Sequence, residues 1–94
     1  MIIIAGRLYV APGERDGYLR SCRDAIEQAR VSAGCLDYSL TADPVEPGRI
    51  NVYERWESNE ELMRFRGDGP DSAQHGQILD ASVAKYRISS VEEP

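Results

Sequence analysis

The sequence has few of the residues that usually bind metals or nucleic acids. It contains two cysteines and one histidine, and Cys22 and Cys35 do not have the spacing of a metal motif. Lysine occurs once, as Lys85, and the net charge of -5 disfavours contact with a phosphate backbone. We therefore expect no metal site, no cofactor and no nucleic-acid partner. The two cysteines are interpreted as buried, reduced thiols rather than as a disulfide.

Long hydrophobic runs are also absent. No apolar run approaches the about 18 residues of a membrane helix, and the opening segment Met1–Ile4 is too short and uncharged for a signal peptide. No glycine-rich phosphate loop or dinucleotide fingerprint occurs. The sequence thus predicts a cytoplasmic protein without membrane contact, and its 94 residues predict one domain, 1–94. The preference for arginine over lysine suggests a bacterial, GC-rich genome.

Alternating apolar and polar residues predict four strands. They span residues 2–11, Cys35–Ala42, Arg49–Glu57 and Ser82–Val91. In the first strand the even-numbered side chains are apolar apart from a glycine, so this face is predicted to lie under helices. The odd-numbered face is mixed: Ile3, Ala5, Arg7 and Tyr9. Such a face suits a cavity or a partner surface.

Helical periodicity predicts a long helix from Glu14 to about Ala33 and a second helix after Ser58. The long helix carries an apolar stripe at three- and four-residue steps and ends before Gly34. Ser58 and Glu61 form a capping-box pattern at the start of the second helix. A further short helix is predicted from Asp71 to about Leu79, anchored by Ile78 and Leu79.

The resulting order β-α-β-β-α-β predicts an α+β fold of ferredoxin-like type, with a four-stranded antiparallel sheet and both helices on one face. The first and third strands are predicted to be central neighbours that run parallel to each other. The uncovered face is expected to carry Arg7, Tyr9 and Trp56 or their neighbours. A half-apolar face of this kind needs a cover, and a second copy of the chain is the simplest one, which predicts a homodimer.

One segment resembles a known family. The run Tyr53-Glu-Arg-Trp-Glu-Ser58, followed by Glu-Glu-Leu on a helix, is similar to the antibiotic biosynthesis monooxygenase (ABM) domain. The opening Ile-Ile-Ile-Ala-Gly-Arg and the stretch Gly34-Cys-Leu-Asp-Tyr38 fit the same pattern. The resemblance implies a dimeric α+β barrel. It also implies oxidation of an aromatic quinol or anthrone by molecular oxygen, without metal or flavin.

The chain departs from the family pattern at several positions. Many members carry an Ala-His pair on the second helix, where this sequence has Arg64-Phe65-Arg66. The haem-degrading branch uses an asparagine, a tryptophan and a histidine, and the corresponding positions here are Arg7, Phe65 and His75. Only the histidine agrees, so haem degradation is the less favoured alternative.

The candidate site combines a possible base with hydrogen-bond donors. Trp56, Glu54 and His75 are the predicted catalytic residues, with Glu54 or His75 as the base. The predicted substrate-binding residues are Arg7, Tyr9, Tyr38 and Tyr86. Each has a structural alternative. Trp56 would be core, Glu54 and Arg7 would form salt bridges, His75 would be a solvated loop residue, and the tyrosines would fill sheet positions.

Three functions are compatible with these residues. The first is a cofactor-free monooxygenase acting on a small aromatic substrate, in which a dry pocket protects the reactive intermediate. The second is a non-catalytic, dimeric module that binds a small aromatic ligand. The third is a structural dimer whose barrel is filled by side chains.

Overall fold

The structure, a computed structural model, describes residues 1–67 and 76–94. Its helices and strands follow the predicted order. In chain order they are β1 (Ile2–Tyr9), a 3₁₀ turn (Pro12–Glu14), α1 (Arg15–Ser21), α2 (Arg23–Arg30), β2 (Cys35–Ala42), β3 (Arg49–Trp56), α3 (Asn59–Arg66) and β4 (Asp80–Arg87). The α+β, ferredoxin-like architecture predicted from the sequence is confirmed.

The four strands form one sheet in the order β2-β3-β1-β4, and every neighbouring pair is antiparallel. The prediction that the first and third strands run parallel is therefore wrong. Each helical crossover joins two parallel strands, but in both cases another strand lies between them in the sheet. β3 lies between β1 and β2, and β1 lies between β3 and β4, so direct neighbours run in opposite directions.

The first helical region is interrupted instead of forming one helix over Glu14–Ala33. α1 and α2 meet at Cys22, whose N–H is shared between the carbonyls of Tyr18 (3.2 Å) and Leu19 (3.1 Å). Shared bonds of this kind tighten a helical turn. The helix ends at Arg30, and Gly34, with a φ of +82°, turns the chain into β2.

The predicted start of α3 is confirmed. The Oγ of Ser58 accepts a hydrogen bond from the backbone N–H of Glu61 at 3.3 Å, which satisfies one otherwise unpaired donor of the first turn. The predicted helix Asp71–Leu79 lies mostly outside the described residues. Its described part, 76–79, is not helical, and Leu79 is exposed, whereas Ile78 packs on the core.

The core lies between the sheet and the helices. From β1 it contains the even-numbered apolar residues, as the alternation predicted. Trp56 belongs to this same face, because it pairs directly with Ile2 in the β1–β3 register. Its predicted place on the uncovered face was therefore wrong. β4 begins and ends earlier than predicted. None of the helices in the described ranges has the length and apolarity needed to span a bilayer.

Candidate functional site

A cavity of about 220 Å³ lies between the helical layer and the sheet. Its described walls come from α1, α2 and all four strands, together with Ile78. They are formed by Leu8, Tyr18, Cys22, Ala25, Tyr38, Leu40, Val52, Glu54, Ile78 and Val83. Six of these ten are aliphatic or alanine side chains, so a ligand in this cavity meets apolar walls with a few polar groups, the usual character of a small-molecule site.

Glu54 is the polar centre of the cavity. It stands in the middle of β3, opposite Ile4 on β1 and Tyr38 on β2, and its side chain points into the interlayer space. The residue is only 7% exposed, and its Oε1 accepts a hydrogen bond from the indole Nε1–H of Trp56 at 3.0 Å. Burial raises the pKa of the Glu54 carboxyl, and the Trp56 hydrogen bond and the charge of Arg66 oppose that rise. A carboxyl with a raised pKa is suited to accept a proton from a weak acid.

Trp56 lies behind Glu54 and does not form part of the cavity wall described above. It is fully buried, and its ring packs on Phe65 of α3 with a centroid separation of 5.4 Å. Phe65 also makes an edge-to-face contact with Tyr38, at 5.8 Å. A single side chain of α3 thus contacts the aromatic neighbours of Glu54 on two strands.

The helical wall supplies two polar groups that the sequence interpretation did not assign to a site. Tyr18 and Cys22 are both buried and lie one helical turn apart, facing the cavity. Burial is the main cause that raises the pKa of Tyr18 to about 12, so this phenol stays protonated at neutral pH. Burial also raises the pKa of the Cys22 thiol. Helical spacing already placed Cys22 on the apolar stripe, and adding Tyr18 four residues earlier would have revealed the pair.

The structure does not bring all of the predicted site residues together. Glu54 and Tyr38 share the cavity, with Trp56 directly behind them.

The opposite face of the sheet carries the other three predicted residues, Arg7, Tyr9 and Tyr86. Their strand partners lie on that same face: Arg7 pairs with Asn51, Tyr9 with Arg49, and Tyr86 with Ile3. The Tyr9 hydroxyl donates to Glu46 Oε2 at 3.0 Å, and Tyr86 is 52% exposed. Within one protomer these three side chains cannot contact a ligand bound beside Glu54.

The remaining predictions concern His75, the cysteines and metals. His75 lies outside the described residues. Cys22 and Cys35 do not form a disulfide, and Cys35 is half-buried, in contrast to the buried position expected for it. Within 1–67 and 76–94, no group of three or more His, Cys, Asp or Glu side chains is arranged to hold a metal ion. The expected absence of a metal and of a cofactor stays a prediction.

A family comparison agrees with the fold, and its matched range includes the segment around Trp56. The model of the antibiotic biosynthesis monooxygenase family matches residues 1–75, which is most of the chain. This chain belongs to the antibiotic biosynthesis monooxygenase family. Members of the family whose structures are known therefore provide a comparison for its architecture.

Several solved structures share this architecture at low sequence identity. A conserved protein from Methanosarcina mazei Go1 superposes with a TM-score of 0.79 at 20% identity, covering 92% of this chain and 90% of that one. A crystal structure of an antibiotic biosynthesis monooxygenase gives 0.79 at 20% identity, covering 96% of this chain and 100% of that one. At such identities the likeness establishes the fold alone.

A curated sequence relative is the uncharacterized protein sll1783 of Synechocystis, which is 28% identical over 61 residues. The match covers 65% of this ABM chain and 42% of the relative, so the matching region spans less than half of that protein's length.

Proposed function

We propose that this ABM-family protein is a monooxygenase that oxidises a small hydroxylated aromatic substrate, such as a quinol or an anthrone, with molecular oxygen and without a cofactor. The observation that carries the proposal is the buried Glu54 carboxyl, which is fixed by Trp56 at the edge of a largely apolar cavity. A buried carboxyl is costly to maintain, and groups with perturbed pKa values concentrate at functional sites.

The lining favours an uncharged ligand that donates a hydrogen bond. Among the described residues of the cavity wall there is no Arg, Lys or His, so an anionic ligand would meet the Glu54 carboxyl without a compensating cation. A phenolic hydroxyl, in contrast, would donate to that carboxyl. The apolar residues around it would contact the ring system.

In the proposed reaction, Glu54 takes a proton from the substrate and leaves an electron-rich anion in the cavity. For an anthrone-type substrate the anion transfers an electron to oxygen, and the two radicals combine into a peroxide at the ring carbon. Loss of water from the peroxide leaves a carbonyl, so one oxygen atom enters the product and the other leaves as water. The protonated phenol of Tyr38, whose pKa burial raises, is a donor for the charge that develops.

A homodimer is part of the proposal. The sheet face opposite the cavity carries Ile3, Ala5, Tyr53 and Ala84 in neighbouring register positions, and none of these four residues is fully buried. A second copy packed face to face would cover these apolar residues.

Oxygen uptake tests the reaction. Purified, metal-free protein is mixed with small hydroquinones, naphthoquinols and anthrones, and oxygen consumption is followed with an electrode. Wild type is expected to consume oxygen in proportion to substrate. Glu54→Gln, which keeps the size of the side chain but cannot take the proton, is expected to lose about 100-fold or more in rate, the usual contribution of a general base. The matched control is Glu57→Gln, an exposed carboxylate just after the same strand.

A second candidate function is a non-catalytic module that binds the same ligands. The observation that favours it is the lack of a described cationic group in the cavity wall, because an oxygenase must stabilise a developing anion. Calorimetric binding of a naphthol without any oxygen uptake would support this candidate over the enzyme. Absence of both binding and turnover across the panel would contradict both proposals.

A further inference from the structure

We propose that Trp56 acts as a positioning residue, fixing one oxygen of Glu54 so that the carboxyl presents its other oxygen to the cavity, and that Phe65 holds the indole in place for this task. The inference deepens the proposed function and rests on it only where ligand binding is concerned. It departs from the initial assignment of Trp56 as a residue that contacts the substrate.

Geometry is the first support. The indole Nε1–H donates to Glu54 Oε1 at 3.0 Å, and the two residues are neighbours on the same face of β3. Glu54 forms part of the cavity wall, whereas Trp56 is fully buried and absent from that wall. The one polar atom of the indole is thus occupied by the carboxyl and is not directed at a ligand. In the described part of the chain this is the one hydrogen bond that the Glu54 side chain accepts.

Packing is the second support. The indole lies between the sheet and α3, in contact with Phe65 at 5.4 Å with a 32° angle between the ring planes. Phe65 also contacts Tyr38, the residue opposite Glu54 on β2. Phe65 is thus contacted by two aromatic residues, which fixes its ring against the indole; this packing limits the rotation of the indole and keeps its N–H aimed at Oε1. α3 therefore influences the cavity through aromatic packing without contributing a wall residue in the described part of the chain.

Several other groups act on the same carboxyl and must be considered in any titration. The groups whose charges interact with it are Tyr38 and Cys35 from β2 and Arg66 from α3. Tyr18 and Cys22, from α1 and the turn after it, are the other titratable groups that line the same cavity. The negative charge of Glu54 contributes to raising the pKa values of Tyr38 and Cys35, and the positive charge of Arg66 stabilises the ionised Glu54 carboxyl. None of these supplies the short, directed hydrogen bond that Trp56 does.

The presence of a single tryptophan makes the contact directly measurable. In ¹⁵N-labelled protein the Trp56 indole gives one N–H signal in the NMR spectrum. In protein labelled at the glutamate side chains, the chemical shift of the Glu54 carboxyl carbon changes with pH. This carbon signal is assigned by its loss in Glu54→Gln. In the wild type we expect the indole signal to move with the same midpoint as the Glu54 carbon. In Glu54→Gln the pH dependence of the indole signal should disappear. An indole signal that does not respond while Glu54 titrates would overturn the proposal, and this measurement requires no ligand and no activity.

Two variants extend the test. Trp56→Phe keeps an aromatic ring but removes the donor, so the Glu54 midpoint should move to higher pH, because a hydrogen bond to the charged form is lost. Phe65→Leu should move it in the same direction by a smaller amount. Tyr53→Phe, on the opposite face of β3, is the matched control and should leave the midpoint in place. An unchanged midpoint in folded Trp56→Phe would contradict the inference.

Ligand binding separates this inference from the proposed function. If naphthol binds to the wild-type protein, its affinity can be measured as a function of pH. The resulting curve should shift to higher pH in Trp56→Phe, together with the midpoint of the Glu54 titration. If the curve does not shift and the affinity of Trp56→Phe is lower by the same factor at every pH, the indole contacts the ligand directly. That result would contradict the positioning role of Trp56. If no phenol binds wild type but the indole and carboxyl titrate together, the proposed function fails and the positioning role stands.

Discussion

At the scale of single residues, Glu54 is the feature that packing alone does not explain. Among the described residues it is the one buried charged side chain, and on its face of β3 it stands between Val52 and Trp56. A buried carboxyl opposes folding when it is ionised, because its charge loses hydration that one indole hydrogen bond only partly replaces. Groups with perturbed pKa values concentrate at functional sites, which is why the proposed chemistry is assigned to Glu54.

The pH dependence of stability follows from this burial. Because the folded-state pKa of Glu54 is raised, the folded protein favours the neutral form. The contribution of Glu54 to stability is then complete below its unfolded pKa and is lost as pH rises through the folded pKa. We expect Glu54→Gln to match wild type in acid and to become the more stable protein towards neutral pH. Urea unfolding at several pH values measures this, and Glu57→Gln, at an exposed position, should show no such divergence.

At the scale of elements, two connections determine how the helices lie on the sheet. Arg15 at the start of α1 donates through Nη1 to the carbonyl oxygens of Asp43 (3.1 Å), Glu46 (2.9 Å) and Arg49 (3.3 Å). Asp43 in turn accepts hydrogen bonds from the backbone of Glu46 and Val45 and from the side chain of Asn51. The Glu46 bond, followed by the Asn51 bond, is the largest cause that lowers the pKa of the Asp43 carboxyl to about 2. The hydrogen bonds of Arg15 thus connect the β2–β3 loop to α1. The other connection is the turn at Gly34.

Gly34 should tolerate no side chain. Its φ of +82° is unfavourable for other residues, and a Cβ at this position would overlap the side chain of Glu61 at the start of α3. We expect Gly34→Ala to lower the free energy of unfolding by about 1–3 kcal/mol. Gly13→Ala is the matched control, because a Cβ there meets no atom within 4 Å, and its effect should stay within about 0.5 kcal/mol. Chemical denaturation of both variants compares the two. Equal stability would show that the turn has a different backbone conformation.

The strands and the cap of α3 were predictable because their signals are local. Alternation identified the buried face of β1, and Ser58 with Glu61 marked the start of α3. The site was only partly predictable, because it depends on which strand faces meet. Glu54 and Tyr38 were identified as residue types, but grouping them with Arg7 required knowledge of the register. Antiparallel pairing places Ile4 opposite Glu54, and Arg7, three positions further along β1, then points to the other side.

At the scale of the whole molecule, the two faces of the sheet carry different sets of the predicted site residues. The face under the helices encloses the cavity and its carboxyl. The other face presents Arg7, Tyr9 and Tyr86, the three predicted site residues that the cavity does not contain. In a face-to-face dimer these side chains would lie at or near the interface, so their proposed contribution is to assembly. The cavity would then be complete in each protomer, and substrate binding would not require residues from the partner subunit.

The dimer prediction can be tested at the centre of the open face. Ala5 lies there, between Tyr53 on β3 and Ala84 on β4. Light scattering after size-exclusion chromatography should give wild type a mass close to twice the 10.5 kDa of one chain at micromolar concentration. In Ala5→Glu each protomer would place an unpaired charge in the interface. A penalty of about 3 kcal/mol or more would weaken association by roughly 100-fold or more, so a dilute sample should run as a monomer.

Val31→Glu, at a position that is 85% exposed after α2, is the control and should leave the mass unchanged. A wild-type mass near 10.5 kDa over a wide concentration range would refute the dimer. A dimer that persists in Ala5→Glu would place the interface on another surface.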